Sequence, residues 1–203
     1  MNIYPISLCI DDKQCVVIGG GKVAERKVCS LIDSKAKVKV VAPEITPYLR
    51  RLVAKKQIAY ANKKFSDSDI SGAFLVIGAT DNQSVNKKIS EAALRKNILV
   101  NIVDVSELCN FFVPACVRRG DLSISISTSG KSPALAREIR KQIEKDYGPG
   151  YARLLRELGR VRELIKSKCD TLEAKKKIWK NIIKAIRGKE NKELAKMLEK
   201  YIV

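Results

Sequence analysis

Through the first hundred positions, short aliphatic runs alternate with amphipathic stretches. CVVIG at 15–19, VKVVA at 38–42, FLVIGA at 74–79 and ILVNIV at 98–103 are brief and largely apolar. That is the pattern of strands buried on both faces of a parallel sheet. Between them, 22–34, 46–56 and 83–96 read as helices. Strand–helix alternation at this spacing predicts an α/β fold with a doubly wound parallel sheet.

The pattern then changes. Leu122, Ile124 and Ile126 alternate with Ser123, Ser125 and Ser127, as in a strand with one covered and one wetter face. TSGKSP follows, then a helix whose Leu135, Ile139, Ile143 and Tyr147 recur every four residues. Ser132 suits its N-cap and Pro133 its first helical position. Gly148, Pro149 and Gly150 end it and predict a boundary. Beyond it Leu154, Leu158, Val161 and Ile165 form one helical stripe, and Ile178, Ile182 and Ile186 another. The expected organisation is a nucleotide-binding domain at 1–113, a small α+β segment at 114–148 and a helical C-terminal domain at 149–203.

The first strand runs into Gly19-Gly20-Gly21-Lys22-Val23-Ala24, a G-x-G-x-x-A fingerprint opening a helix. Gly19 permits the tight turn, Gly21 lets backbone approach a pyrophosphate, and Ala24 allows close helix–strand packing. Lys22 and Val23 carry free helix-start N–H groups and sit at the positive end of the helix dipole. This is the Rossmann arrangement for a dinucleotide. The second strand ends at Ala42-Pro43-Glu44, where Glu44 is either a ligand to the adenosine ribose or a solvated loop carboxylate. No arginine or lysine follows within five residues, which favours NAD over NADP. Thr80 and Asp81, past the third predicted strand, either meet the ligand at the carboxyl edge or cap the next helix.

Forty basic against 22 acidic residues give the 203-residue chain a net charge of +18. Such a balance points to a polyanionic partner. Residues 151–203 hold sixteen basic and seven acidic residues, half of that excess. With 5% aromatic residues and no recognition-helix motif, nucleic acid is set aside. No long apolar run suggests a membrane span, and the N-terminal residues do not read as a signal peptide, so a cytoplasmic protein is expected. Six scattered cysteines without a CxxC pair read as reduced thiols, with no metal site. The chain has no histidine. Proton transfer must therefore use carboxylate, lysine, tyrosine or thiol.

VVIGGGKVAERKVCSLI, VVAPE, IGATDNQSVNKKISEAA, NIVD and SISTSGKSPALAREIRKQIE together resemble the precorrin-2 dehydrogenase and sirohydrochlorin ferrochelatase family, from about residue 2 to 165. The resemblance implies NAD-linked oxidation of precorrin-2 to sirohydrochlorin in siroheme formation. It also implies a homodimer whose middle segment dimerises. Its substrate is a polycarboxylate tetrapyrrole, which answers to the basic charge. Some relatives also insert ferrous iron; without histidine to hold the metal in transit, that activity is left open here. The family's aspartate of the NIVD motif is Asp104, expected to orient the macrocycle or accept its proton. Asn101, Asn110 and Phe111 are further candidates for the same cleft. Thr128, Ser129 and Lys131 of the TSGKSP turn are candidates for a substrate carboxylate. Arg118, Arg119, Arg137 and Arg140 are either carboxylate partners or solvated charges.

Overall fold

The structure, a computed structural model, describes residues 3–186. Residues 187–203, the rest of the expected helical tail and part of its charge, lie outside the described residues. The described residues divide into two compact units, 3–113 and 114–186.

The first unit is a five-stranded parallel sheet. Its strands are β1 (Gln14–Ile18), β2 (Lys37–Val41), β3 (Ala59–Ala61), β4 (Leu75–Gly78) and β5 (Leu99–Ile102). They run in the order β3-β2-β1-β4-β5. The chain moves outward from β1 through β2 to β3, then returns to the other side of β1 for β4 and β5. That reversal is the topological switch point of a doubly wound sheet, where ligands meet the carboxyl ends of the strands. Helices α1 (Lys22–Asp33), α2 (Pro47–Ala54) and α3 (Gln83–Arg95) form the crossovers, while a single 3-10 turn at Asp67–Ile70 joins β3 to β4.

Burial explains the strand pattern. Cys15, Val17, Val40 and Ile77 face one core with Val28, Leu31 and Leu49, whereas Val16, Ile18, Val76 and Val100 face the other with Ile70, Ile89 and Ala93. A sheet covered on both sides needs apolar residues at odd and even positions alike. Each fully buried aliphatic side chain contributes roughly 1.5–3 kcal/mol. Two strands escape the apolar-run signal. β3 is a three-residue edge strand, Ala-Tyr-Ala, and β6 (Ala115–Arg119) carries two arginines.

In the second unit β6 pairs antiparallel with β7 (Leu122–Ile126). The alternation predicted for β7 is present, with Leu122, Ile124 and Ile126 half-buried and Ser123 and Ser125 exposed. α4 (Pro133–Asp146) packs against β6. Its buried position is Ala136, and Leu135, expected on the apolar stripe, is 53% exposed. Ile139, Ile143 and Tyr147 stay half-buried as expected, and only in the first turn does the small Ala136 take the inward place of Leu135. Gly148 and Pro149 link α4 to α5 (Gly150–Lys168), which with α6 (Leu172–Ile186) buries Leu154, Val161, Ile165 and Ile182. Among the described residues no helix is long and apolar enough to cross a membrane.

Candidate functional site

At the carboxyl edge of the sheet, the turns after β1, β2 and β4 line a cleft of about 760 Å³. Gly19, Gly21, Lys22, Val23, Ala42, Pro43, Glu44, Thr80 and Asp81 all border it. A volume of this order lies within the range of small-molecule and cofactor sites.

The glycine turn has a steric cause at its first two positions. Gly19 has φ +120°, and a Cβ there would lie 2.2 Å from the Ala79 carbonyl oxygen. Gly20, a fingerprint position of free choice, is equally constrained, since its Cβ would come 1.8 Å from the Glu44 carbonyl oxygen. Gly21 differs: a Cβ would meet nothing within 4 Å. It occupies the N-cap of α1 in an extended conformation with no side-chain acceptor. The first N–H groups of a helix lack intrahelical partners, and here they border open cleft. A backbone-lined cradle at a helix start fits a pyrophosphate. Four lysines, Lys22, Lys63, Lys64 and Lys88, line the cleft against two carboxylates, Glu44 and Asp81. The sign of that balance suits a phosphate ligand.

One wall is tied to α1 by Thr46, whose hydroxyl donates to Glu25 Oε2 at 2.6 Å and accepts from Leu49 N at 3.2 Å. The Thr46 hydroxyl, with Lys22 beside it, holds the Glu25 carboxyl below its ordinary range. On the opposite wall, Thr80 Oγ1 donates to Asn86 Oδ1 at 2.8 Å, and Asn86 Nδ2 donates back to the Thr80 carbonyl at 2.9 Å. The cap of α3 is Asn82, which accepts from Val85 N at 3.1 Å. Thr80 and Asp81 thus border the cleft without capping α3 themselves.

Asp104 follows β5 at the same carboxyl edge, exposed, with φ +61°. A non-glycine residue in that conformation carries a strain cost that surrounding contacts must hold. Cys109 supplies them: its thiol accepts from Ile102 N at 3.1 Å and donates toward the carbonyls of Ile102 and Val105 at 3.3 and 3.2 Å. Burial pushes this thiol above its ordinary range. Lys27 of α1 is the nearby cation; burial lowers its pKa, Arg26 adds to that, and Asp104 and Cys109 oppose it.

Asn101 and Asn110 serve the same segment. Asn101, 8% exposed, donates to the Phe111 carbonyl at 3.1 Å. Asn110 accepts from Val100 N at 2.7 Å and donates to the Ile98 carbonyl at 3.1 Å, acting as a strand neighbour along the edge of β5. Phe111 packs against the core. None of these three borders the cleft, and neither does Asp104.

Thr128, Ser129 and Lys131 lie in the second unit. Four donors of the turn are met within it: Ser129 N donates to Ser127 Oγ, Ser132 N to Thr128 Oγ1, Lys131 N to the Thr128 carbonyl, and Leu135 N to Ser132 Oγ. Anion binding at this helix start would therefore draw on side chains such as Lys131. Arg119 is occupied structurally, with Nε donating to the Tyr147 carbonyl at 2.8 Å at the end of α4. Arg140 pairs with Glu144, and Arg137 is exposed.

Sequence reading missed Gly20, Lys63, Lys64, Phe65, Val85 and Lys88 as cleft residues. Lys63 to Phe65 follow the unrecognised β3. Val85 and Lys88 stand three and six residues beyond the Asn82 cap, a helical spacing that would have found them once the cap was known. Among the described residues no group of three or more cysteines or carboxylates is placed to hold a metal.

A family model described as "Putative NAD(P)-binding" matches residues 6–115, more than half of the chain, and one described as "Sirohaem biosynthesis protein central" matches 119–146. The chain belongs to this NAD(P)-binding family of sirohaem-biosynthesis proteins. Its first unit is an NAD-binding domain, and the cleft at the glycine turn is the place in it that fits the cofactor. The chain is 38% identical over 186 residues to a siroheme synthase of Vesicomyosocius okutanii and 37% identical over 183 residues to that of Acinetobacter baylyi. These alignments cover 92% and 90% of this chain but 40% of each relative. The chain thus spans about two-fifths of the length of the curated relatives it matches. A solved structure titled SirC, precorrin-2 dehydrogenase, superposes with TM-score 0.81 at 29% identity, over 98% of this chain and all of that one.

Proposed function

We propose that this chain oxidises precorrin-2 to sirohydrochlorin, with NAD⁺ reduced to NADH and one proton released, a step toward siroheme. The observation that carries the reading is the likeness to a precorrin-2 dehydrogenase over 98% of this chain and all of that one, joined to the cofactor cleft of the first unit.

Bound NAD⁺ supplies the hydride acceptor. The protein's own part is positioning and proton transfer. N–H groups of the Gly19–Val23 turn hold the pyrophosphate, Glu44 accepts from the adenosine ribose hydroxyls, and Ala42, Pro43, Thr80 and Asp81 border the cofactor. Asp104 orients the macrocycle or takes the departing proton, the role left to a carboxylate where histidine is absent. Asn101, Asn110 and Cys109 keep its turn in place, with Phe111 packed beneath. Thr128, Ser129 and Lys131 engage substrate carboxylates through their side chains.

Ferrous iron is proposed as a second substrate, inserted into sirohydrochlorin with Asp104 taking pyrrole protons. Two copies form the working unit in this reading, located in the cytoplasm. Leu135 and the half-buried Leu122, Ile124 and Ile126 of the second unit supply apolar surface for the association.

Anaerobic incubation of the purified chain with precorrin-2 and NAD⁺, with and without ferrous iron, tests the reading. NADH absorbance should rise with sirohydrochlorin, and the iron arm should add the metallated product. An absence of NADH formation by a chain that binds NAD⁺ would overturn the dehydrogenase assignment.

A further inference from the structure

β2 and β3 run parallel in register, Val41 beside Ala61, and Ala42 N donates to the Ala61 carbonyl at 3.2 Å. The chain leaving each strand therefore starts from the same level. Pro43 and Glu44 lie two and three residues beyond Val41, and Lys63 and Lys64 lie two and three beyond Ala61. All four line the cleft. A carboxylate and a pair of lysines thus border the cleft from neighbouring strands.

The lysine loop is anchored. Asp69, whose side chain is 4% exposed, meets Lys63 at 3.0 Å and Lys39 at 3.4 Å, and accepts from Ser66 N at 2.9 Å. Burial alone would raise this carboxyl, but the Ser66 N–H and the Lys63 ammonium outweigh it and hold it below its ordinary range. Tyr60 Oη donates to the Ala42 carbonyl at 3.0 Å and binds β3 to the Glu44 side of the cleft. The Lys63 ammonium is committed to Asp69, while Lys64 makes no salt bridge among the described residues.

We infer that Glu44 and Lys64 act as opposed selectors for the ribose 2′ position. The Glu44 carboxylate accepts from a free 2′-hydroxyl and repels a 2′-phosphate; Lys64 is the cation that receives that phosphate once Glu44 is neutral. The inference rests on the proposed reading of this cleft as the NAD site. An acidic residue at the end of the second strand selects NAD and a nearby cation accommodates NADP in dinucleotide folds. Here both are present, and the cation comes from the third strand.

Calorimetric titration of NAD⁺ and NADP⁺, which needs no substrate turnover, separates the outcomes. The Glu44→Gln variant should bind NADP⁺ at least tenfold more tightly than the native chain and NAD⁺ more weakly. The gain should disappear in Glu44→Gln/Lys64→Ala and persist in Glu44→Gln/Lys87→Ala, since Lys87 is an exposed lysine off the cleft. It should also shrink with added salt. Retention of the gain without Lys64, its equal loss without Lys87, or native binding of NADP⁺ as tight as that of NAD⁺ would each overturn the assignment. If the native, folded chain binds neither nucleotide, the cleft reading fails with it, a result distinct from any of these.

Discussion

At the start of α1, Gly21 stands in the cap position without a side-chain acceptor, and the first amides of the helix border the cleft. At the start of α4, Ser132 Oγ takes Leu135 N, Thr128 Oγ1 takes Ser132 N and Ser127 Oγ takes Ser129 N. Both begin with small residues, both lie after a strand, and both read in sequence as seats for an anion. They differ in whether the chain's own side chains have already consumed the donors. A helix N-terminus is attractive to a phosphate or carboxylate in proportion to the N–H groups left unpaired. By that measure α1 is an open seat and α4 a closed one.

The largest expected effect lies in the turn that builds the open seat. Gly19→Ala places a Cβ 2.2 Å from the Ala79 carbonyl on a backbone at φ +120°. Steric overlap and unfavourable backbone together should cost more than about 3 kcal/mol, read as a loss of folded protein in urea unfolding.

Next comes the anchor of the lysine loop. Asp69→Asn removes a buried charge from Lys39 and Lys63 and should cost about 2 kcal/mol at pH 7. Because the native carboxyl is held below its ordinary value, its contribution is present above the unfolded pKa, about 3.9, and is lost as pH falls through the folded value. The gap between native chain and variant should therefore be flat from pH 7 to about 5 and narrow below about 4. Urea midpoints across that series check it.

At the closed seat, Ser132→Ala should cost about 1 kcal/mol of stability and leave NAD⁺ affinity unmoved. A change in cofactor affinity would break the distinction drawn between the two helix starts. The smallest effect concerns packing beneath the open seat. Burial in β1 pushes the Cys15 thiol up to about 11, so at pH 8 a thiol reagent should label exposed Cys9 while Cys15 stays unreacted until the chain unfolds.

The core of this fold was legible because strands covered on both faces must be largely apolar, and β1, β2, β4 and β5 are, with Lys37 and Lys39 of β2 and Asn101 of β5 the main interruptions. β3 was not, since Ala-Tyr-Ala carries little aliphatic signal and its place is decided by pairing with β2. That omission hid Lys63 and Lys64. It also weakened the argument for NAD from the lack of basic residues near Glu44, because the lysines arrive from another strand. The fingerprint was readable as a pattern, but Gly20 became intelligible only through the Glu44 carbonyl that it lets approach. Asn101 and Asn110 illustrate the opposite difficulty. Polar residues near a predicted site look like ligands until their amides are found holding backbone. The TSGKSP turn is a third case, where backbone donors that suggest anion binding are met by hydroxyls of the turn itself, so that a carboxylate there is left to the side chains.

Gly21 offers the most direct test, because a Cβ there meets nothing within 4 Å. Titration of NAD⁺ into the native chain and into Gly21→Asp, with thermal unfolding of both, isolates the seat from the fold. An aspartate at this N-cap should preserve or raise stability by up to about 1 kcal/mol, while its carboxylate takes the amides and repels the pyrophosphate. Saturable one-site binding to the native chain is expected, with a loss of about a hundredfold or more in the variant, equivalent to about 2.7 kcal/mol. Unchanged NAD⁺ affinity in a folded Gly21→Asp chain would contradict it.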